Sequence, residues 1–264
     1  MQSPTQDTVR LAPWGFGLVI LAGLLAVLSG PLYQMKLLAL MPAFSLLRYA
    51  VNGAMAGAAI CLIALIVAAV RGGFGALGRN ALAWIGVLVG LLVFYVPYSV
   101  RAGGYPPIHD VTTDLDDPPA LIAAVAQRTA SGATNTSEYE RIVKSPRGGP
   151  DFNVPELQRQ AFPDVQPIKL DVPPDLAFQK ALDTAKAMSW TLIETNAAEG
   201  RIEAFDRTTW FGFIDDVVIR IRPDGSGSRV DLRSVSRIGF GDIGANGKRI
   251  RAYTRKLIGE GGTT

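Results

Sequence analysis

The sequence predicts a membrane α-helical N-terminal region, with three transmembrane helices, joined to an α+β domain. Three observations carry that division. Met1 to Val100 holds five of the 26 lysines and arginines and one of the 23 acids, so charge is concentrated in the last 164 of 264 residues. The same first hundred residues contain stretches long and apolar enough to cross a hydrocarbon core of roughly 30 Å, which takes about 20 helical residues. Beyond residue 165, helical and strand periodicities alternate over short intervals.

The predicted spans run over about 11–29, 49–70 and 81–100. Trp14, Tyr33, Tyr49, Trp84, Tyr95 and Tyr98 fall near their ends, where aromatic rings prefer the interface. Between the first two spans, Pro31 to Arg48 is apolar but interrupted by Pro42 and charged at Lys36 and Arg48, which reads as an interfacial or re-entrant segment, with a fourth crossing as the alternative. Gly53 and Gly57, and again Gly86 and Gly90, form GxxxG pairs that let backbones approach closely, within the chain or across a dimer. No ionisable side chain lies inside a span, which argues against transport. Arg10, Arg71 and Arg79 on one side match Lys36, Arg48 and Arg101 on the other in number, and the density of cations in the short loop Arg71 to Arg79 assigns that side to the cytoplasm. With three crossings, the hydrophilic part is then extracytoplasmic. Leu28-Ser29-Gly30-Pro31 is a poor signal-peptide cleavage site.

Residues 101–164 read as a linker carrying an acidic motif and short helices around Pro119 to Arg128 and Pro155 to Ala161. The compact α+β domain occupies 165–264. Gln166 to Val172 reads as a strand, and Pro174 starts a helix whose Phe178, Ala181, Leu182, Ala185 and Met188 repeat every 3.6 residues. Four strands follow, Trp190 to Thr195, Arg201 to Trp210, Phe213 to Arg222 and Ser228 to Arg237, separated by turn-forming residues. Ile243 to Ile258 closes the chain with a helix bearing Ile250, Tyr253 and Leu257 on one stripe. Hairpin-linked strands pair antiparallel and two amphipathic helices cover one face, so the expectation is a two-layer sandwich of a mainly antiparallel sheet. Its other face, with Arg220, Arg222, Asp231, Arg233 and Arg237, is expected to meet solvent.

One cysteine, Cys61, and one histidine, His109, exclude disulfide frameworks, zinc fingers and Cys/His dyads. A nearly neutral hydrophilic half argues against nucleic acid. The acidic stretch His109, Asp110, Thr112, Asp114 and Asp117 has two readings: local turn and cap hydrogen bonds that dock the segment, or a divalent cation held by Asp110, Asp114 and Asp117. In Trp210 to Asp216, Asp215 and Asp216 point to opposite faces of a regular strand, so an acid/base pair is disfavoured against pairing with Arg207 or Arg237. Gly239 to Gly244 matches GxGxxG, but no strand follows its helix, so nucleotide and other cofactors are not expected. Asp242 is read there as a helix cap, and Arg237 and Asn246 flank a helix start able to meet an anion. Lone His109 has no nucleophile partner.

A resemblance rests on four motifs: Pro-Pro-Ile-His-Asp-Val-Thr-Thr-Asp-Leu-Asp-Asp-Pro-Pro at 106–119, Phe-Pro-Asp-Val-Gln-Pro at 162–167, Trp-Phe-Gly-Phe-Ile-Asp-Asp at 210–216, and Arg-Ser-Val-Ser-Arg-Ile-Gly at 233–239 followed by Asp242-Ile-Gly-Ala-Asn. From Pro106 to Leu257 the chain resembles domain-of-unknown-function family 1499, in particular bacterial membrane-anchored members. The resemblance implies hydrophobic spans ahead of the domain and a bacterial envelope setting; it brings no activity. The expectation is therefore a non-catalytic binding or assembly module in the bacterial inner membrane, with a periplasmic domain and the bilayer, an envelope protein or a lipid as partner. The candidate ligand-binding residues are His109, Asp110, Thr112, Asp114, Asp117, Trp210, Asp215, Asp216, Arg237, Asp242 and Asn246. The alternative is an acid- or divalent-metal-dependent hydrolase built on His109 to Asp117.

Overall fold

A computed structural model describes residues 4–70, 88, 95, 104–145 and 148–259. The chain divides into two compact units, Met1–Arg101 with Trp210–Gly212, and Ala102–Thr209 with Phe213–Thr264.

In the first unit, α1 (Pro4–Gln34) and α2 (Leu40–Val70) form an antiparallel helical pair. Leucine, alanine and methionine favour helix, and the absence of a polar stripe leaves apolar side chains such as Leu24, Val27, Met55 and Leu62 exposed. Small residues set the contact: a Cβ on Gly57 would lie 2.6 Å from the Gly15 carbonyl oxygen, and one on Gly53 would meet Ala22. The Gly53/Gly57 pair thus packs within the chain. Lys36, with φ of 60°, ends α1, and the Leu37 N–H donates to the Leu32 carbonyl across the turn.

The expected interfacial segment 31–48 is corrected. Pro31 lies inside α1 and Leu40 to Arg48 inside α2, leaving a short connection. Pro42 does not interrupt α2 because it sits in the first turn, where a missing N–H loses no intrahelical bond. Among the described residues, Pro13–Gln34 and Leu40–Ala64 are long and apolar enough to cross a membrane, two helices where three were expected. The third expected span, 81–100, lies outside the described residues apart from 88 and 95, as does the loop 71–79.

The second unit contains β1 (Asp110–Thr112), α3 (Ala124–Ala130), β2 (Ile142–Val143), β3 (Phe152–Asn153), α4 (Val154–Ala161), β4 (Ile168–Leu170), α5 (Pro174–Ala187), β5 (Thr191–Asn196), β6 (Arg201–Arg207), β7 (Ile214–Asp224), β8 (Gly227–Ser236) and α6 (Ala245–Leu257). Its main sheet is antiparallel in the order β1-β8-β7-β6-β5. β1 and β4 share the outer edge of β8, opposite Arg233–Val235 and Ser228–Val230 respectively. β7 and β8 meet in a tight hairpin with Gly225 at φ of 61°.

Alternation along the strands decides which residues face α5 and α6. Ile202, Ala204, Val217, Ile219, Ile221, Val230 and Leu232 pack there with Ala177, Ala181, Ala185, Ile250 and Leu257. Trp190 stacks on Tyr253 at 5.2 Å, and the Tyr253 hydroxyl, its pKa raised by burial, donates to the Ala181 carbonyl at 2.8 Å.

Two expectations fail in this unit. Residues 101–164 are not a linker ahead of the domain: Ile108, Val111, Val154 and Phe162 belong to its main core, β1 joins its sheet, and the boundary at 165 disappears. The second sheet face is not left to solvent either. Residues leading into α3 cover it, with Leu121 and Ala124 packed on Val218 and Val235, and Asp231, Arg233 and Arg237 are buried. The two-layer sandwich is therefore thickened by a short third layer. The helix predicted from Pro119 begins only at Ala124.

Candidate functional site: polar networks on both sheet faces

Period-2 alternation places Glu203 of β6, Asp216 and Arg220 of β7, and Arg229, Asp231, Arg233 and Arg237 on the face under α3. Low-dielectric surroundings require each of these charges to find partners. Asp216, fully buried, accepts from Arg128 Nη1 at 2.5 Å, Arg237 Nε at 2.9 Å and Arg237 Nη2 at 2.7 Å. Arg128 also donates to the carbonyls of Asn135 and Thr136, and Arg237 lies over the Phe205 ring at 5.6 Å. Desolvation lowers the Arg128 pKa, opposed by Asp216. Arg233 grips Asp110 through Nε at 2.9 Å and Nη2 at 2.7 Å, the fork geometry that suits a carboxylate. Glu203 accepts from the N–H groups of Ile122, Ala123 and Ala124 at 2.8–3.1 Å, capping the start of α3, and pairs with Arg201.

Toward the edge of this face, Asp114, Asp117 and Asp231 interleave with Arg220, Arg222 and Arg229. Asp114 Oδ1 accepts from the N–H groups of Asp116 and Asp117, a local turn, while Oδ2 accepts from Arg229 at 2.6 Å. Desolvation pushes its carboxyl upward, but the Asp117 N–H, Arg229, the Asp116 N–H and Arg220 outweigh that and hold it below the usual carboxylate range. Thr112 is fixed by its backbone. Its N–H donates to Gln158 Oε1 at 3.0 Å and its carbonyl accepts from Gln158 Nε2 at 2.6 Å, so a side-chain amide replaces a strand partner.

On the face toward α6, Asn246 uses its whole amide. Nδ2 donates to the His109 carbonyl at 2.9 Å and Ser236 Oγ at 3.0 Å, and Oδ1 accepts from Ser234 Oγ at 2.6 Å and Arg249 Nη1 at 2.7 Å. Arg249 also donates to Asp215 at 2.7 Å and to Asp206 at 3.0 Å. Asp242 accepts from the N–H groups of Gly244, the N-cap of α6, and of Asn246 in the first turn, so it serves that turn from two residues ahead of the N-cap position. Burial raises its carboxyl pKa, against those two N–H donors.

The predicted residues thus separate. Asp215 and Asp216 lie on opposite faces, and Asp215 pairs with Arg249 where Arg207 or Arg237 was expected. Asp110 belongs to Arg233, whereas Asp114 and Asp117 belong to the Arg220, Arg222 and Arg229 cluster. No group of three or more His, Cys, Asp or Glu suited to a metal ion occurs among the described residues, which removes the geometric basis of the Asp110, Asp114 and Asp117 cation site. His109 is buried beside a cavity of about 10 Å³ that also touches Asp110, Glu138 and Glu140, room for about one water. A wider groove of about 370 Å³ between Tyr105 and α4 has no carboxylate, imidazole or cation in its lining. Trp210 falls in the helical unit, where its Nε1 donates to the Val27 carbonyl at 3.2 Å.

Sequence reasoning missed Arg128, Gln158, Glu203 and Arg249. Arg128 and Gln158 sit in short helices whose docking no local pattern announces, Glu203 reads as an outward strand residue, and Arg249 reads as the polar side of α6. What the networks offer chemically is fixed charge: guanidiniums do not titrate near neutrality, and the buried carboxylates already accept from them or from backbone N–H groups.

A crystal structure of TTHA0849 from Thermus thermophilus is similar over 36% of this chain and 84% of that chain, at 16% sequence identity and a TM-score of 0.19. Among curated proteins, nothing matches. The model of the DUF1499 family, described as a protein of unknown function, matches residues 110–257, which include β1, the whole of β5 to β8 and α6. That match spans more than half of the 264 residues, and the chain belongs to the DUF1499 family.

Proposed function

We propose that this protein is a non-catalytic binding or assembly module anchored in the bacterial inner membrane, with its sheet domain in the periplasm and an envelope protein or lipid as its partner. The observation that carries the reading is the engagement of the candidate acids: Asp110, Asp114, Asp117, Asp215 and Asp216 face arginines, and Asp242 faces backbone N–H groups. A general acid or base must exchange a proton with substrate, and a carboxylate locked to a guanidinium is poorly placed for that. Anchoring is supported by the exposed apolar surface of α1 and α2, which water would not tolerate at this extent. Sidedness is supported by the density of cations in the short Arg71 to Arg79 loop, the count on the two sides being equal.

Three measurements on the full chain test the reading. It should resist extraction from membranes by alkaline carbonate and dissolve in detergent. A reporter fused after Thr264 should be active only when exported. Tryptophan fluorescence of the detergent-solubilised protein should stay flat on titration with calcium or magnesium. Extraction without detergent ends the anchored reading, and saturable quenching by either ion reopens the metal-dependent hydrolase.

A further inference from the structure

We propose that Val27–Gln34 of α1 is a docking socket for the indole of Trp210, built by the adjacent Gly30 and Pro31. Proline inside a helix removes the N–H that would bond the carbonyl four residues earlier. For Pro31 that carbonyl belongs to Val27, well inside α1, and it accepts from Trp210 Nε1 at 3.2 Å. An indole N–H from another part of the chain thus replaces the donor that Pro31 lacks. Gly30 clears the space: a Cβ there would lie 2.3 Å from the Trp210 carbonyl oxygen and 2.5 Å from its Cδ1. One turn along the same face, Gln34 Nε2 donates to that carbonyl oxygen at 2.7 Å. Phe211 completes the seat against Tyr33 and Phe44, with ring centroids 6.1 and 5.3 Å away.

Gly30, Pro31 and Gln34 therefore act together: one makes room, one frees an acceptor and one supplies a donor. Taken singly, the glycine and the proline would only weaken a helix.

The test is limited trypsin digestion of the full-length protein in detergent, following cleavage after the exposed Arg207, three residues before the plug. Trp210→Phe keeps an aromatic ring and loses the N–H, so cleavage should accelerate about three- to tenfold, the range expected for one hydrogen bond. Pro31→Ala restores a backbone N–H to compete for the Val27 carbonyl, so it should also accelerate cleavage although alanine is the better helix former. In the Pro31→Ala background, adding Trp210→Phe should change little. Gly30→Ala should have the largest effect, since its methyl occupies the seat. Unchanged cleavage in Trp210→Phe, slower cleavage in Pro31→Ala, or an undiminished Trp210→Phe effect in the double variant would each overturn the socket.

Discussion

The two faces of the sheet are buried by different means. Toward α5 and α6 the strands present Ile202, Val217, Ile219, Val230 and Leu232, and burial itself is the driving force. Toward α3 the same strands, one residue out of phase, present Glu203, Asp216, Asp231, Arg233 and Arg237, and among the described residues only four buried apolar ones cluster there. An apolar face tolerates modest misfit, whereas a buried ionic face holds only if every charge keeps its partner. Similar burial on two sides of one sheet thus hides opposite sensitivities to substitution.

Single truncations on the two faces are both costly. Asp216→Ala leaves Arg128 and Arg237 facing each other without their carboxylate, and should cost about 3–5 kcal/mol. Leu232→Ala, on the apolar face, should cost about 2–5 kcal/mol through transfer and cavity terms. The decisive contrast is between single and paired replacement. Asp110→Leu alone strands Arg233, but Asp110→Leu with Arg233→Met should recover most of the loss, because an apolar pair carries no desolvation cost. Urea unfolding of each variant reads these values. A double replacement as damaging as the single one would mean that the network holds more than its own charges.

Next in size is Asn246→Ala, which touches the polar cluster embedded in the otherwise apolar side. Four hydrogen bonds disappear, and the His109 carbonyl, the Ser234 and Ser236 hydroxyls and Arg249 all lose a partner. The expected loss is about 1–3 kcal/mol by the same unfolding measurement, with Asn246→Asp giving no rescue of the bonds its Nδ2 donates.

How much was legible follows the same division. Periodicity gave the helix of α5, with Ala181 and Ala185 inward, and the alternation of β7 and β8, because hydrophobic burial repeats with the backbone. The charged alternation at 220, 222, 229, 231 and 233 was equally visible, but its meaning was not. A row of Arg and Asp looks the same whether water or a covering segment lies above it, and what decides is the path of residues 113–137, which no local signal specifies. The linker reading of 101–164 failed for that reason: Gly and Pro there shape turns on a docked segment. The socket in α1 was written as Gly30-Pro31, legible as two weak helix residues but not as a seat, since Trp210 lies 180 positions away.

Acid separates one carboxylate on each side of the sheet, because Asp114 and Asp242 respond with opposite sign. Asp114, toward the edge of the charged face, titrates below its ordinary value of 3.8, so its contribution is present above that pH and is lost as pH falls through the lower, folded value. Asp242, on the α6 side, is raised above 3.8, so the folded state bears an unfavourable charge near neutrality, relieved as pH falls through the raised value. Subtracting the pH–stability curve of Asp242→Asn from that of the native chain should show native stability gaining on the variant as pH drops from neutral toward 4. The same subtraction for Asp114→Asn should show the native advantage shrinking below about pH 4, in the unfolded carboxylate range.

The smallest effect tests whether distance or burial sets the value of an ion pair. Arg251 holds Asp164 with both Nε and Nη2, a fork as close as any in the buried networks, and that bond keeps the Asp164 carboxyl below its usual range. Yet Asp164 is 55% exposed and Asp216 is fully buried. On removal of Asp164, water takes over the Arg251 guanidinium, which also rests on the Phe162 ring at 5.0 Å. Asp164→Ala should therefore cost no more than about 1 kcal/mol, and less at high salt, while Asp216→Ala should keep its full cost in salt because no ion reaches it. If the two losses proved equal, geometry alone would govern these pairs, and the contrast between the faces would reduce to a count of hydrogen bonds.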